Sequence, residues 1–203
     1  MKPKSNCYFT SRRLVGLAAT TIFVHLGIVA NLSAASRTWS GGVDASWPTV
    51  GNWGGTNAAP GAVNAASNDV ATFNIALVAG TLGGSGNPII IDTNRVIGGL
   101  TFDTASVGAY QIGANAGLQL QLTALLAPTN LTQVTASVTS AQVIAAPIYL
   151  RNNAGSNNPT YTFRNNATSP AATLSLTGLQ TWNSSTSRPG YVILDGSNTG
   201  ANI

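Results

Sequence analysis

Four short apolar runs between Asn87 and Leu122 decide how this chain folds. Turn-forming Gly, Asn, Asp and Ser residues separate them, and their centres lie about ten residues apart, a spacing typical of strands in all-β folds. Where apolar and polar residues alternate, one face of a strand meets a core and the other meets water. The runs are Pro88-Ile89-Ile90-Ile91-Asp92, Gly98-Gly99-Leu100-Thr101-Phe102-Asp103, Tyr110-Gln111-Ile112-Gly113 and Leu118-Gln119-Leu120-Gln121-Leu122.

Further runs of this kind occur on both sides of the central stretch. Asn-rich segments around residues 152–158 and 165–166 separate some of them and are typical of tight turns. We therefore predict a solenoid, a parallel β-helix whose turns pair with those above and below. A β-sandwich is the alternative, because periodicity alone does not exclude it. The additional predicted strands are 69–75, 134–138, 142–144, 148–150, 161–164, 173–176 and 191–194.

Residues 1–35 have the pattern of a cleavable signal peptide. A basic start with Arg12 and Arg13 precedes an apolar segment, and small residues then lead to a cleavage site after Ala35. An uncleaved anchor is the alternative, since the apolar segment is at the lower limit for spanning a bilayer. The arginine pair also resembles a twin-arginine signal, although general secretion is favoured. We expect the protein to be secreted or to reside on the cell surface.

The composition after residue 35 excludes several classes of chemistry. That part contains five Arg and five Asp, so it has no net charge and no basic cluster for a nucleic-acid partner. It contains no Cys, His, Lys, Glu or Met. A Ser-His-Asp triad, a thiol nucleophile, a Schiff-base lysine and a soft metal site are therefore excluded there. We expect no cofactor.

The segment from residue 36 to residue 75 begins with an unusual concentration of aromatic residues. Trp39, Trp47 and Trp53 lie within fifteen residues, among many glycines. Indole faces pack against sugar rings as they do against other apolar surfaces, so one hypothesis is a sugar-stacking platform. The favoured interpretation is a cap that covers the open end of a stacked core, as the terminal repeats of a solenoid must.

Several short motifs resemble secreted proteins that carry autotransporter-associated β-strand repeats. The resemblance implies a right-handed parallel β-helix exported to the bacterial cell surface or outer membrane, with a passenger-like rather than catalytic character. The sequence departs from that pattern because it contains no full copy of the repeat and no C-terminal translocator barrel. The motifs are Thr38-Trp39-Ser40, Gly51-Asn52-Trp53, Pro60-Gly61-Ala62, Asn68–Phe73, Val96–Asp103, Tyr110–Gly113 and Ile193–Gly200.

Two acidic residues are the best candidates for catalysis. Asp92 and Asp103 each follow a predicted strand, and paired carboxylates can hydrolyse glycosidic bonds. Arg95 lies nearby in sequence, which leaves a polysaccharide lyase as a further alternative. The favoured interpretation is that these Asp residues stabilise turns at strand ends. We accordingly predict a protein that is not an enzyme and assign it no catalytic, binding or metal-ligating residues.

A calcium site is also considered at residues 83–88. Gly83-Gly84-Ser85-Gly86-Asn87-Pro88 begins like a calcium-binding nonapeptide turn. That motif needs an Asp where Pro88 stands and several tandem copies, so the calcium interpretation is rejected.

These observations predict three regions and a surface role. Residues 1–35 form the signal peptide, 36–75 the N-terminal cap, and 76–203 a β-helical, passenger-like region. Because the sequence contains no recognisable C-terminal cap, we expect a fragment of a longer protein. We expect attachment to a membrane only through its leader or through a missing anchor. The predicted function is structural or adhesive, with extracellular polysaccharide as the expected partner. A carbohydrate-binding or polysaccharide-degrading β-helix is the alternative.

Overall fold

A computed structural model describes most of the chain after the predicted signal peptide. The described residues are 36–54, 58–78, 81–92, 94–114, 118–124, 129–151, 158–178, 180–182 and 190–202. The signal segment and its cleavage site at Ala35 lie outside them. Within the described ranges no helix is long and apolar enough to cross a membrane.

The strands form three sheets, which we call faces A, B and C in the order in which the chain visits them from β5 onward. Face A contains β1 (Arg37–Thr38), β3 (Val70–Phe73), β5 (Gly99–Phe102), β8 (Thr129–Val134), β11 (Thr160–Asn165) and β14 (Tyr191–Asp195). Face B contains β6 (Gln111–Ile112), β9 (Gln142–Ile144) and β12 (Leu174–Leu176). Face C contains β2 (Ala62–Val63), β4 (Arg95–Ile97), β7 (Leu120–Thr123), β10 (Ile148–Arg151) and β13 (Gln180–Trp182).

From β5 onward the chain passes from face A to face B to face C and returns to face A one layer further along. Thr160 pairs with Thr129 on one side and with Tyr191 on the other, so one turn takes 31 residues there. Every strand pairing among the described residues is parallel, apart from that of β2 with β4. About four such turns make a parallel β-solenoid. The predicted β-helix is confirmed, and the alternative of two facing antiparallel sheets is wrong.

Every second side chain along the strands of face A points inward, and these side chains fill the interior of the coil. Phe73, Phe102 and Val134 stand in register on successive turns, and all three are fully buried. The rings of Phe73 and Phe102 stack with their centroids 5.3 Å apart. Register therefore places like side chains directly above one another along the axis.

One interior position is polar and connects two faces. Asn130 is fully buried on β8 and donates hydrogen bonds from its amide nitrogen to the carbonyls of Ile97 and Thr123. Those carbonyls belong to the last residue of β4 and the last residue of β7. The two bonds from the amide nitrogen stabilise the corner at which the chain leaves face C for face A.

Most strand predictions were right in type and displaced at some boundaries, whereas the run at 88–92 forms only isolated bridges at Ile89 and Ile90. The sequence predicted a strand at 134–138, whereas β8 ends at Val134 and residues 135–140 form a turn. Strand β10 extends one residue beyond the predicted 148–150 and ends at Arg151, and Arg164 lies in β11 within the predicted 161–164. Both arginine side chains are half-buried on these strands.

Truncation of one interior ring should reveal how strongly the stacked core stabilises the coil. We expect Phe102→Ala to lower the free energy of unfolding by about 3–5 kcal/mol, because it leaves a cavity between Phe73 and Val134. Thr101→Ala on the outer face is the matched control and should cost about 1 kcal/mol or less, since it removes one half-buried hydrogen bond from Gln133. Urea unfolding followed by circular dichroism measures both, and equal losses would contradict the stacked interior.

Candidate functional site

The tryptophans close the first end of the coil. Trp39, Trp47 and Trp53 are 0%, 0% and 1% exposed. Trp53 lies 5.0 Å from Trp39 and 4.7 Å from Trp47 between ring centroids, and all three rings pack within about 6 Å of Phe73. None of the three rings is exposed to stack on a sugar, and their packing on Phe73 is what the cap at residues 36–75 predicts; the cap itself stays a prediction.

Hydrogen bonds fix the orientation of the cap. The indole nitrogen of Trp47 donates to the Pro60 carbonyl at 3.0 Å, and that of Trp53 donates to the Trp47 carbonyl at 2.6 Å. The short 3-10 helix Val50–Trp53 carries Trp53 into the cluster. Each of these two rings is therefore held by a specific bond in addition to its apolar contacts.

Asn52 is a structural residue that the sequence analysis missed. It is fully buried, and its side-chain oxygen accepts from the backbone N–H groups of Val43 and Asp44. Its amide nitrogen donates to the Asp44 carboxylate and the Ser46 carbonyl. The backbone N–H of Ser46, with Asn52 and Thr49, lowers the pKa of Asp44 below its usual 3.8. The sequence signal was the placement of Asn52 beside Trp53 in a Gly-rich segment.

The structure does not bring the three catalytic candidates into one site. Arg95 forms a two-point ion pair with Asp92 and donates to the Gly61 carbonyl at 2.9 Å. Asp103 accepts from the Thr104 backbone N–H at 2.8 Å and from the Thr135 hydroxyl at 2.6 Å. Asp92 precedes face C and Asp103 follows face A, so each carboxylate stabilises a different corner.

The other carboxylates also bind structural partners. Asp69 accepts from the Gly61 backbone N–H at 2.7 Å, and Asp195 accepts from the Gly196 backbone N–H and from Arg164. These bonds, led by that from Gly196, lower the pKa of Asp195. Within the described part of the chain, no three acidic, His or Cys residues cluster in a way that could hold a metal ion. The calcium-like turn likewise packs as a turn, with Gly83 accepting from the Gln111 N–H.

A polar groove lies on face C. We define the face C groove by Asn64, Gln119, Gln121, Tyr149 and Arg151, which line an open cavity of about 380 Å³. The sequence predicted the strands that carry Gln119, Gln121 and Tyr149, and it did not place these residues together or beside Asn64.

Register explains how the groove forms. Leu120 and Leu122 of β7 point inward, as do Ile148 and Leu150 of β10, so the residues between them point outward. Gln121 stands directly opposite Tyr149 on the next turn. Asn64, immediately after β2, completes the groove when its carbonyl accepts from the Arg151 guanidinium at 3.2 Å.

The last strand, β14, leaves the second end of the coil uncovered. Val192 is in register with the buried Tyr161, and Leu194 with the buried Phe163, yet they are 50% and 77% exposed. A cavity of about 360 Å³ opens beside Leu194. The two ends of the coil therefore differ, because the first is covered by tryptophans and the second presents an apolar edge.

Comparison of the chain with protein-family models, with curated proteins and with solved structures finds no match.

Iodide quenching of fluorescence should distinguish a closed cap from an exposed platform. In a chain carrying Trp182→Phe, we expect the emission of the other three tryptophans to resist iodide, because their rings are buried. The same variant in guanidinium is the control and should be quenched strongly. Strong quenching of the folded chain, or a shift of its emission on adding soluble saccharides, would contradict the buried cap.

Proposed function

We propose that this chain is an exported structural or adhesive protein of the bacterial cell surface, in which the solenoid is a passenger-like, rigid projecting element. The observation that carries the proposal is the use of its acidic groups. The five Asp residues after position 35 all bind turn backbone, hydroxyl, amide or guanidinium groups that hold the coil together. The carboxylates after position 35 therefore serve the architecture.

The outer surface of the coil is suited to conditions outside the cytoplasm. Hydroxyl groups on one turn donate to carbonyls of the previous turn, as Thr139 does to Ala105 and Thr168 to Ala136. These bonds need no metal and no disulfide, and the part after residue 35 offers no thiol that oxidants could attack. Such a surface supports a role outside the cytoplasm.

The predicted signal peptide supports the same destination. Its basic start, apolar segment and small residues before Ser36 are the features that export machinery recognises. The resemblance to autotransporter-associated repeats points in the same direction, and it rests on short motifs alone. Export is therefore proposed from the leader, and the projecting role from the solenoid.

A carbohydrate-binding protein is the second candidate, because the face C groove combines a phenol, three carboxamides and a guanidinium. The polysaccharide-degrading form of this alternative is less well supported, since Asp92 is paired with Arg95 and Asp103 with Thr135. We propose adhesion without turnover. Incubating the protein with polysaccharides and measuring new reducing ends and unsaturated products tests this point, and release of either product would favour the enzyme.

Export is tested by locating the full chain, carrying a C-terminal epitope tag, in a bacterial host. We expect it outside the cytoplasm with Ser36 as its first residue, as determined by mass spectrometry. The double variant Leu17→Asp and Val24→Asp should stay uncleaved in the cytoplasm, because charges disrupt the apolar segment. The matched control, Leu17→Ile with Val24→Ile, keeps the segment apolar and should be exported. Retention of the unaltered chain in the cytoplasm would contradict the proposal.

A further inference from the structure

The face C groove brings together three kinds of hydrogen-bonding side chain: carboxamides, a phenol and a guanidinium. Gln121 and Tyr149 are direct register partners, so their backbones lie about 4.8 Å apart, the usual separation of paired strands. Arg151 follows Tyr149 at the next outward position of β10, and Gln119 precedes Gln121 at the outward position of β7. A ligand lying across these two strands would meet an amide, a phenol and a guanidinium together.

Three polar side chains of the groove are not engaged with the rest of the described chain. Among the described residues, no hydrogen bond joins the side chains of Gln119, Gln121 and Tyr149 to protein groups. Gln119 and Tyr149 are half-buried, and Gln121 is 8% exposed. Two neighbouring carboxamides and a phenol supply both donors and acceptors. That combination matches the hydroxyl groups of a sugar, each of which can donate one hydrogen bond and accept others.

Arg151 gives the groove an uncompensated positive charge. The two ion pairs among the described residues join Arg95 to Asp92 and Arg164 to Asp195. Arg151 instead donates to a neutral carbonyl, that of Asn64, through one of its two terminal nitrogens. A guanidinium can bind a carboxylate or sulfate with two parallel hydrogen bonds, so the groove is suited to an anionic partner.

Tyr149 favours a sugar over a simple anion. Its ring is half-buried between the outward side chains of neighbouring strands, and an aromatic ring beside polar groups can pack against the apolar face of a pyranose. A nucleic acid is a poor fit, because its affinity depends on neutralising several phosphates and this surface offers one cation.

We infer that the face C groove, lined by Gln119, Gln121, Tyr149, Arg151 and Asn64, binds an acidic saccharide unit of an extracellular polysaccharide. The Arg151 guanidinium binds the carboxylate or sulfate, the carboxamides bind ring hydroxyls, and Tyr149 packs against the ring. This inference rests on the proposed function in one respect, that an adhesive coil needs a ligand. It identifies the ligand class and the part of the surface that recognises it.

The test is binding of the full chain to two matched sets of oligosaccharides, measured by calorimetry or glycan array. The acidic probe is oligogalacturonate, and the neutral probe is a galacto-oligosaccharide of the same length. A sulfated galactan of similar size separates carboxylate from sulfate recognition. We expect measurable binding to at least one acidic probe, weaker or absent binding to the neutral one, and loss of the preference in high salt.

Substitutions distinguish the effect of the Arg151 guanidinium on binding from any effect on the fold. Arg151→Gln should weaken binding to the acidic probe by about tenfold or more, because a charge-assisted hydrogen bond is lost. Arg151→Lys should recover part of the affinity, and Tyr149→Ala should weaken binding to both probes. Arg164→Gln is the matched control, since it removes an arginine from face A and should leave binding unchanged. Thermal unfolding identifies any variant that has lost the fold.

Three outcomes would overturn the inference: no binding of the unaltered chain to any acidic probe, equal binding to the neutral probe, or full binding by a folded Arg151→Gln chain. Because the export experiment does not involve the groove, an exported chain that binds no acidic sugar refutes the inference alone. A cytoplasmic chain that binds acidic sugar would refute the proposed location and leave the groove assignment intact.

Discussion

Backbone hydrogen bonding between successive turns is the interaction on which the rest of this structure depends. Each strand of a middle turn is paired on both edges, as β11 is with β8 and β14. Parallel pairing in register aligns apolar residues with apolar residues inside and polar residues with polar residues outside. Slipping any strand by one residue would reverse every side chain on it, so the interior, the hydroxyl bonds outside and the face C groove all follow from the same register.

The ends of the coil show what this constraint requires where pairing stops. At the first end, indole rings and the buried Asn52 cover the interior of the first turn, which would otherwise be exposed to solvent. At β14 the same inward positions hold Val192 and Leu194, and both remain exposed to solvent. An apolar interior is stable along the middle of the coil because neighbouring turns shield it, and each end needs a separate solution.

Much of the fold could be predicted from local pattern, whereas the groove could not. The Leu-Gln alternation at residues 118–122 identified β7, and the tryptophans indicated a cap, because both signals lie within a few neighbouring residues. The contact of Gln121 with the turn that carries Tyr149 depends on pairing between residues 28 positions apart. No local pattern encodes the turn length, which varies as the loops between faces vary. Asp92 and Asp103 are close in sequence and were therefore considered as a pair of catalytic carboxylates. In the folded coil they lie at different corners.

Cysteine cross-linking tests the stacked register most directly. In a Cys7→Ser chain, Thr101→Cys with Gln133→Cys places two thiols on register partners of β5 and β8, whose Cα separation suits a disulfide. The control, Thr101→Cys with Gln111→Cys, joins residues much closer in sequence that lie on different faces. We expect the first pair to oxidise readily in the native protein and the control pair to remain reduced. Efficient cross-linking of the control pair, with none for the register pair, would contradict the solenoid and every contact derived from it.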